Sequence, residues 1–262
     1  MITLNNKPPN LCLAPFTHFT MDANLNASPC PALGGSIWNF SGEELKNVWT
    51  SDTLHQFREH MLNNGKHKCQ RCWVEESVGF TSERLKIEKQ GHSIENYKKG
   101  PVQLALKISN ICNLRCRSCN GADSLTLSVE GKKYAENPEW KNNFYVKGSS
   151  RKEFTDEQLD EIVEWSGNLK RLEIYGGEPL LDEQTFNLLE KIADTGRAEE
   201  IQINISTNIT HRIPREKIDI LKKYPWITCE FAIVPHNLNI LNLADSIEFF
   251  KEYTEFQDRF KV

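Results

Sequence analysis

Val102-Gln103-Leu104-Ala105-Leu106-Lys107-Ile108, then Ser109-Asn110-Ile111, then Cys112-Asn113-Leu114-Arg115-Cys116-Arg117-Ser118-Cys119: this stretch decides how the chain is read. Its first part is a short apolar run that predicts a buried strand, Leu104 to Ser109. Its last part carries three thiols, with three and then two residues between them. Three clustered thiolates can hold three irons of a four-iron cluster and leave the fourth iron open. A structural metal site instead closes all its positions.

Downstream, the pattern alternates. Gly121 to Gly131 predicts a helix, and Thr155 to Ser166 a second. Leu169 to Tyr175 reads as a strand and Gly176-Gly177-Glu178-Pro179 as a turn. Asp182 to Thr195 is a helix with apolar positions Phe186, Leu189, Ile192 and Ala193. Ile201 to Ser206 alternates like a strand. A helix at Pro214 to Tyr224, a strand at Ile227 to Val234 and a helix at Leu241 to Tyr253 complete the series. Repeated strand–helix units imply parallel strands covered by helices, with function on the loops after the strands. Three such loops carry chemistry: the cysteine loop, the Gly-Gly-Glu-Pro turn and Ser206-Thr207-Asn208.

Upstream lie four more cysteines: Cys12, Cys30, Cys69 and Cys72. Leu13 to Met21 reads as a strand, Asp22 to Asn26 as a turn and Ala27 to Leu33 as the returning strand. Ser41 and Glu44 resemble a helix start. A helix at Thr53 to Asn63, the Cys69–Cys72 turn and a polar helical segment from Val74 to Lys89 follow. Gly91 to Gly100 reads as a linker. The expected organisation is a small α+β metal-binding module at 1–90 and an α/β domain at 101–262.

Composition sets limits. The 262 residues suffice for one large domain, or a large and a small one. With 39% hydrophobic and 26% charged residues, a packed core is expected. A net charge of −4 gives no electrostatic case for nucleic acid or an acidic membrane as main partner. No apolar run approaches the roughly 18–20 residues of a membrane span. The first residues lack the pattern of a secretory signal. Eight cysteines without such a signal point to a cytoplasmic protein whose thiols bind metal or do redox chemistry.

Taken together, these motifs resemble the radical S-adenosylmethionine (SAM) superfamily. Cys112/Cys116/Cys119 matches its CxxxCxxC pattern, Gly176 to Pro179 its GGEP motif, and Ser206-Thr207-Asn208 its segment after the third strand. The fold implied is a partial (β/α) barrel, here shortened, since only one clear strand is legible after Asn208. The resemblance implies a [4Fe–4S] cluster on Cys112, Cys116 and Cys119, whose open iron binds SAM. Gly176, Gly177, Glu178 and Pro179 would meet the SAM amino group, the glycines allowing close approach, and Ser206 and Asn208 its ribose. One electron from a flavodoxin- or ferredoxin-type donor would cleave SAM, and the resulting 5′-deoxyadenosyl radical would abstract a hydrogen from a peptide, protein or small-molecule substrate. The N-terminal module resembles a Twitch domain, the shortened relative of SPASM. Cys12, Cys30, Cys69 and Cys72 would then hold an auxiliary iron–sulfur cluster.

Departures from the family are visible. Ser118 stands where many relatives place an aromatic residue, and the Asp22–Asn26 turn lacks the usual glycine. The module precedes the barrel instead of following it. Other readings stay open: zinc on the three cysteines with a distant ligand such as His211, a structural Cys₄ zinc site in the module, or a non-catalytic relative that binds cluster or SAM without turnover. A zinc-stabilised interaction module is the reading from another class. Cys229 reads as a packed thiol.

Overall fold

The computed structural model describes residues 11–23, 25–30, 33, 38–40, 44–64, 70–116, 118–139, 153–208, 210, 213–231 and 260–261. In chain order the elements begin α1 (Ala14–Thr17), β1 (His18–Asp22), β2 (Asn26–Ser28), β3 (Trp38–Asn39), α2 (Leu45–Val48), α3 (Asp52–Asn64), α4 (Arg71–Ser77) and α5 (Glu83–Lys89). Then come β4 (Gln103–Lys107), α6 (Leu125–Tyr134), α7 (Asp156–Trp165), β5 (Arg171–Tyr175), α8 (Glu183–Asp194), β6 (Gln202–Thr207), α9 (Arg215–Lys222), β7 (Ile227–Phe231) and β8 (Phe260–Lys261). The chain divides into two compact units, Met1–Ala105 with Asp156–Arg171, and Leu106–Thr155 with Leu172–Val262. Thus the segment read as a linker, Gly91 to Gly100, falls in the first unit, as does α7.

In the first unit, β1, β2 and β3 pair antiparallel, with Thr20 opposite Ser28 and Ala27 opposite Trp38. The turn forms where expected. Asp22 accepts from the Asn26 backbone at 3.0 Å and from its side chain at 2.9 Å. Its left-handed residue is Leu25, at φ 56° and 4% exposed. The strand expected from Leu13 is corrected: Ala14–Thr17 is a helical turn. Pro15 suits a first helical turn, and the Thr17 hydroxyl donates back to the Leu13 carbonyl at 2.8 Å. The helix expected over Val74 to Lys89 is broken between α4 and α5, with Gly79 at φ 86° and Ser82 capping α5. The expected cap Ser41 lies outside the described residues; α2 starts with Glu44 at its N-cap.

The core of this unit gathers Leu11, Leu13, Phe16, Phe57, Met61 and Ile87, with Cys30 among them and Cys12 against them. Arg58, on α3, is buried under two rings, 4.2 Å from Trp49 and 5.0 Å from Tyr97. Its guanidinium donates to the carbonyls of Pro15 and Trp49, both at 2.8 Å, and so ties α3 to the chain around α1 and α2.

His18 is buried beside His92 and Arg171. Since the Thr17 hydroxyl donates to Leu13, its oxygen accepts from His18 Nδ1, 2.8 Å away. Burial, and next the neighbouring His92, depress the imidazole pKa from 6.5 to about 4. The unfolded chain therefore binds the extra proton first. Stability present above pH 6.5 falls as the pH drops towards 4, by about 3 kcal/mol from this group. Urea unfolding across that range should show the parent losing this increment relative to His18→Gln. Parallel curves for the two proteins would contradict the assignment.

The second unit orders its strands β4-β5-β6-β7-β8. β7 runs parallel to β6, with Ser206 opposite Glu230, and β8 runs parallel to β7, with Cys229 opposite Phe260. This is an α/β unit with a parallel sheet, open among the described residues, as a partial barrel requires. β8 adds a second strand after Asn208 where the sequence showed one. The predicted helix at Leu241 to Tyr253 lies outside the described residues, as does the end of the strand read to Val234. Three central strands explain themselves. β4 is buried continuously from Leu104 to Leu106. β5 and β6 alternate, burying Leu172 and Ile174, then Ile203, Ile205 and Thr207. Asp182 caps α8 by accepting from Gln184 N–H at 3.0 Å, and Phe186, Leu189 and Ile192 form its buried face. Among the described residues no helix is long and apolar enough to cross a membrane.

Candidate functional site

Each chemical loop of the second unit starts where a strand ends: the cysteine loop after β4, Gly176–Pro179 after β5, and Asn208 directly after β6. One residue laces them together, through its backbone and its side chain. Glu178 is 1% exposed, and its N–H donates to the Ile111 carbonyl at 2.7 Å. Its Oε1 accepts from Leu180 N–H at 3.1 Å and from the Thr207 hydroxyl at 2.6 Å, while Oε2 accepts from Asn208 N–H at 2.6 Å. Glu178 was expected beside a ligand's ammonium group; its buried carboxylate also joins the loops after β5 and β6.

The glycines have an internal reason as well. Gly176 and Gly177 adopt φ 84° and 47°, which favours glycine. A Cβ at Gly176 would stand 2.2 Å from Lys107 Cγ, and one at Gly177 would stand 2.3 Å from the Ile111 carbonyl oxygen. Protein atoms therefore occupy the side of each glycine on which a Cβ would stand. Pro179 is buried and opens a short 3-10 turn into Asp182, which also accepts a hydrogen bond from Ser109.

Asn208 reaches back to the cysteine loop. Its Nδ2 donates to Asn113 Oδ1 at 3.1 Å and points at Cys112 Sγ, 3.8 Å away, and its Oδ1 accepts from the Thr210 hydroxyl at 2.6 Å. Ser206 is half-buried. The loop is anchored on its other side by α6. Thr126 donates to the Cys112 carbonyl at 2.6 Å, and Ser124, the α6 cap, donates to the Leu114 carbonyl at 3.1 Å. A cleft of about 410 Å³ between this loop and α6 is lined by Cys112, Arg115, Leu125, Val129 and Lys133, among others. It does not reach the loops after β5 and β6.

The three thiols share one electrostatic neighbourhood. Burial pushes Cys112 up to about 11, helped by the Glu178 carboxylate and the other two thiols. Burial also raises Cys119, with Asp123 and Cys116 adding to it. Against this, N–H groups aim at sulfur: Leu114 at Cys112, 3.4 Å away, and Asn120 at Cys119. Massed thiols in a half-buried, anion-lined place, with N–H donors at Cys112 and Cys119, suit a cationic iron core, whose cysteine sulfurs accept such bonds. Among the described residues no three His, Cys, Asp or Glu side chains close on one point as a single metal ion requires. A four-iron cube differs: each thiolate takes its own iron, so the sulfurs stand apart around it.

In the first unit, Cys30 and Cys72 are buried and Cys12 is half-buried; Cys69 lies outside the described residues. The Arg71 guanidinium feels both Cys72 and Cys30, and that of Arg84 feels Cys12. Ser28 donates to the Cys30 carbonyl at 2.8 Å, fixing that thiol's backbone. No disulfide joins any of the described cysteines.

Sequence reasoning passed over Thr207, Lys107, Asn120, Asp123 and the Ser109–Asp182 pair. For Thr207 the signal was present, because the Ile203-Ile205-Thr207 alternation puts it on the buried face. Lys107, a charge at the end of an apolar strand, was also visible.

Residues 106–252 match the model of the radical SAM superfamily, and the chain belongs to that superfamily. Residues 12–73, from Cys12 past Cys72, match the SPASM model, an iron–sulfur cluster-binding domain. Among solved structures, SuiB from Streptococcus suis is 17% identical, with 84% of this chain and 49% of that chain covered at a TM-score of 0.38. The same protein bound to S-adenosylmethionine is 16% identical over the same shares, at 0.33. The chain thus spans about half the length of the solved structures it matches. No curated protein matches it.

Proposed function

We propose that this chain is a radical SAM enzyme that cleaves SAM reductively at a four-iron cluster and takes a hydrogen atom from a peptide, protein or small-molecule substrate. The observation that carries the reading is the lacing of three strand-end loops through Glu178, which holds the thiol loop beside Gly176–Gly177 and Asn208. The cluster and SAM supply the electron transfer and the radical. The chain's own part is to hold and orient. Cys112, Cys116 and Cys119 would ligate three irons and leave one for SAM. The N–H groups of Leu114 and Asn120 stabilise the sulfurs, and Glu178 sets the spacing of the loops. Gly176 and Gly177 present backbone to the ligand's amino group, and Ser206 and Asn208 offer neutral hydrogen-bonding groups to its ribose. Cys12, Cys30, Cys69 and Cys72 would bind the auxiliary cluster. The electron would come from a flavodoxin- or ferredoxin-type donor.

Anaerobic reconstitution followed by SAM and dithionite tests this. Brown protein that forms 5′-deoxyadenosine is the expected result. A loaded cluster with no product would leave a non-catalytic relative, and colourless protein containing zinc would leave a zinc-stabilised module.

A further inference from the structure

Lys107 ends β4, and its side chain is only 19% exposed. A lysine so placed needs a counter-charge, and its ammonium pairs with Asp123. Asp123 is held in turn by Asn120, whose Nδ2 donates to Asp123 Oδ2 at 2.7 Å and whose carbonyl accepts from Asp123 N–H at 3.1 Å. Asn120 directly follows Cys119 and gives that sulfur its N–H. On its other side the Lys107 stem fills the space where Gly176 lacks a side chain, with Cδ and Cε 3.2 Å from that point. One side chain therefore touches the Gly-Gly turn and, through Asp123 and Asn120, the last cysteine of the loop.

We propose that Lys107 is a positioning residue for the cluster site and that the Lys107–Asp123 pair sets the electron affinity of the group held by Cys119. The proposal rests on the reading that Cys112, Cys116 and Cys119 hold a four-iron cluster. Reduction adds negative charge to such a cluster. A nearby cation favours that step and a nearby anion opposes it, so the two partners pull the potential in opposite directions. A purely mechanical clamp behaves otherwise, since removing either partner breaks the same contact and has the same effect.

The test is a potentiometric titration of the reconstituted full chain, followed by electron paramagnetic resonance. The relevant signal is the one that disappears in Cys116→Ala. Lys107→Met should move its midpoint to more negative potential, and Asp123→Asn to more positive potential. Lys107→Arg should stay near the parent. Midpoints that do not move, or that move the same way in both variants, overturn the proposal while the cluster reading stands. A parent with no signal lost in Cys116→Ala overturns the cluster reading, and this proposal with it. Asp123 is 36% exposed at its side chain. Its isosteric variant therefore keeps the test decisive even if Lys107→Met fails to fold: an unmoved or more negative midpoint in Asp123→Asn alone refutes the charge role.

Discussion

Glu178→Ala should lose about 3–5 kcal/mol of stability, read from the urea midpoint of the second unit at unchanged slope. The carboxylate is buried and accepts from the Leu180 N–H, the Thr207 hydroxyl and the Asn208 N–H, the last two at the end of β6. Alanine leaves the Thr207 hydroxyl and the Asn208 N–H buried without it, and each unsatisfied donor costs about 1–3 kcal/mol. The loops after β5 and β6 then lose the side chain that joins them, while the backbone bond from residue 178 to the Ile111 carbonyl remains, so cluster loading should fall with stability. Glu178→Gln, which keeps one carbonyl oxygen, should lie between alanine and parent. A Glu178→Ala protein within about 1 kcal/mol of the parent would show that the loops are held by something else.

Cys116→Ala should abolish 5′-deoxyadenosine formation and remove about four irons per chain, leaving the iron of the N-terminal module in place. Cys116 sits mid-loop, its carbonyl accepting from Cys119 N–H at 3.0 Å, and the change removes a ligand without removing that backbone bond. The fold should survive, because the residue is only half-buried. Iron analysis beside the product assay separates the outcomes. Cleavage that persists would mean that the ligand set is wrong. Loss of all iron would mean that the module does not load by itself.

The site was legible where a local rule controls the outcome. Strand alternation put β5 and β6 in place, Asp182 announced the start of α8, and three thiols after an apolar run announced the loop. What escaped depends on tertiary partners. Glu178 turns inward because Thr207 and Asn208 wait there, and no local pattern reports that. Ala14–Thr17 becomes helical although Phe16, Phe19 and Met21 look like strand residues; Pro15 and the Thr17–Leu13 bond decide it. β8 has two residues, too few for any periodicity, and exists through its pairing with β7. The split of α4 from α5 fell within a stretch read as one helical segment, with Gly79 and the Ser82 cap as its local signs.

Leu25 has a longer consequence. A leucine at φ 56° strains its backbone by about 1–2 kcal/mol, which glycine would relieve. Its side chain is buried, however, and emptying that space would cost about 2–5 kcal/mol. Burial outweighs strain, and leucine stays. A one-step change to glycine therefore runs uphill, even though glycine suits the turn's backbone better. The hairpin is in this sense a lock: the residue is held by the neighbours packed on it, and glycine becomes acceptable only together with a compensating change among them.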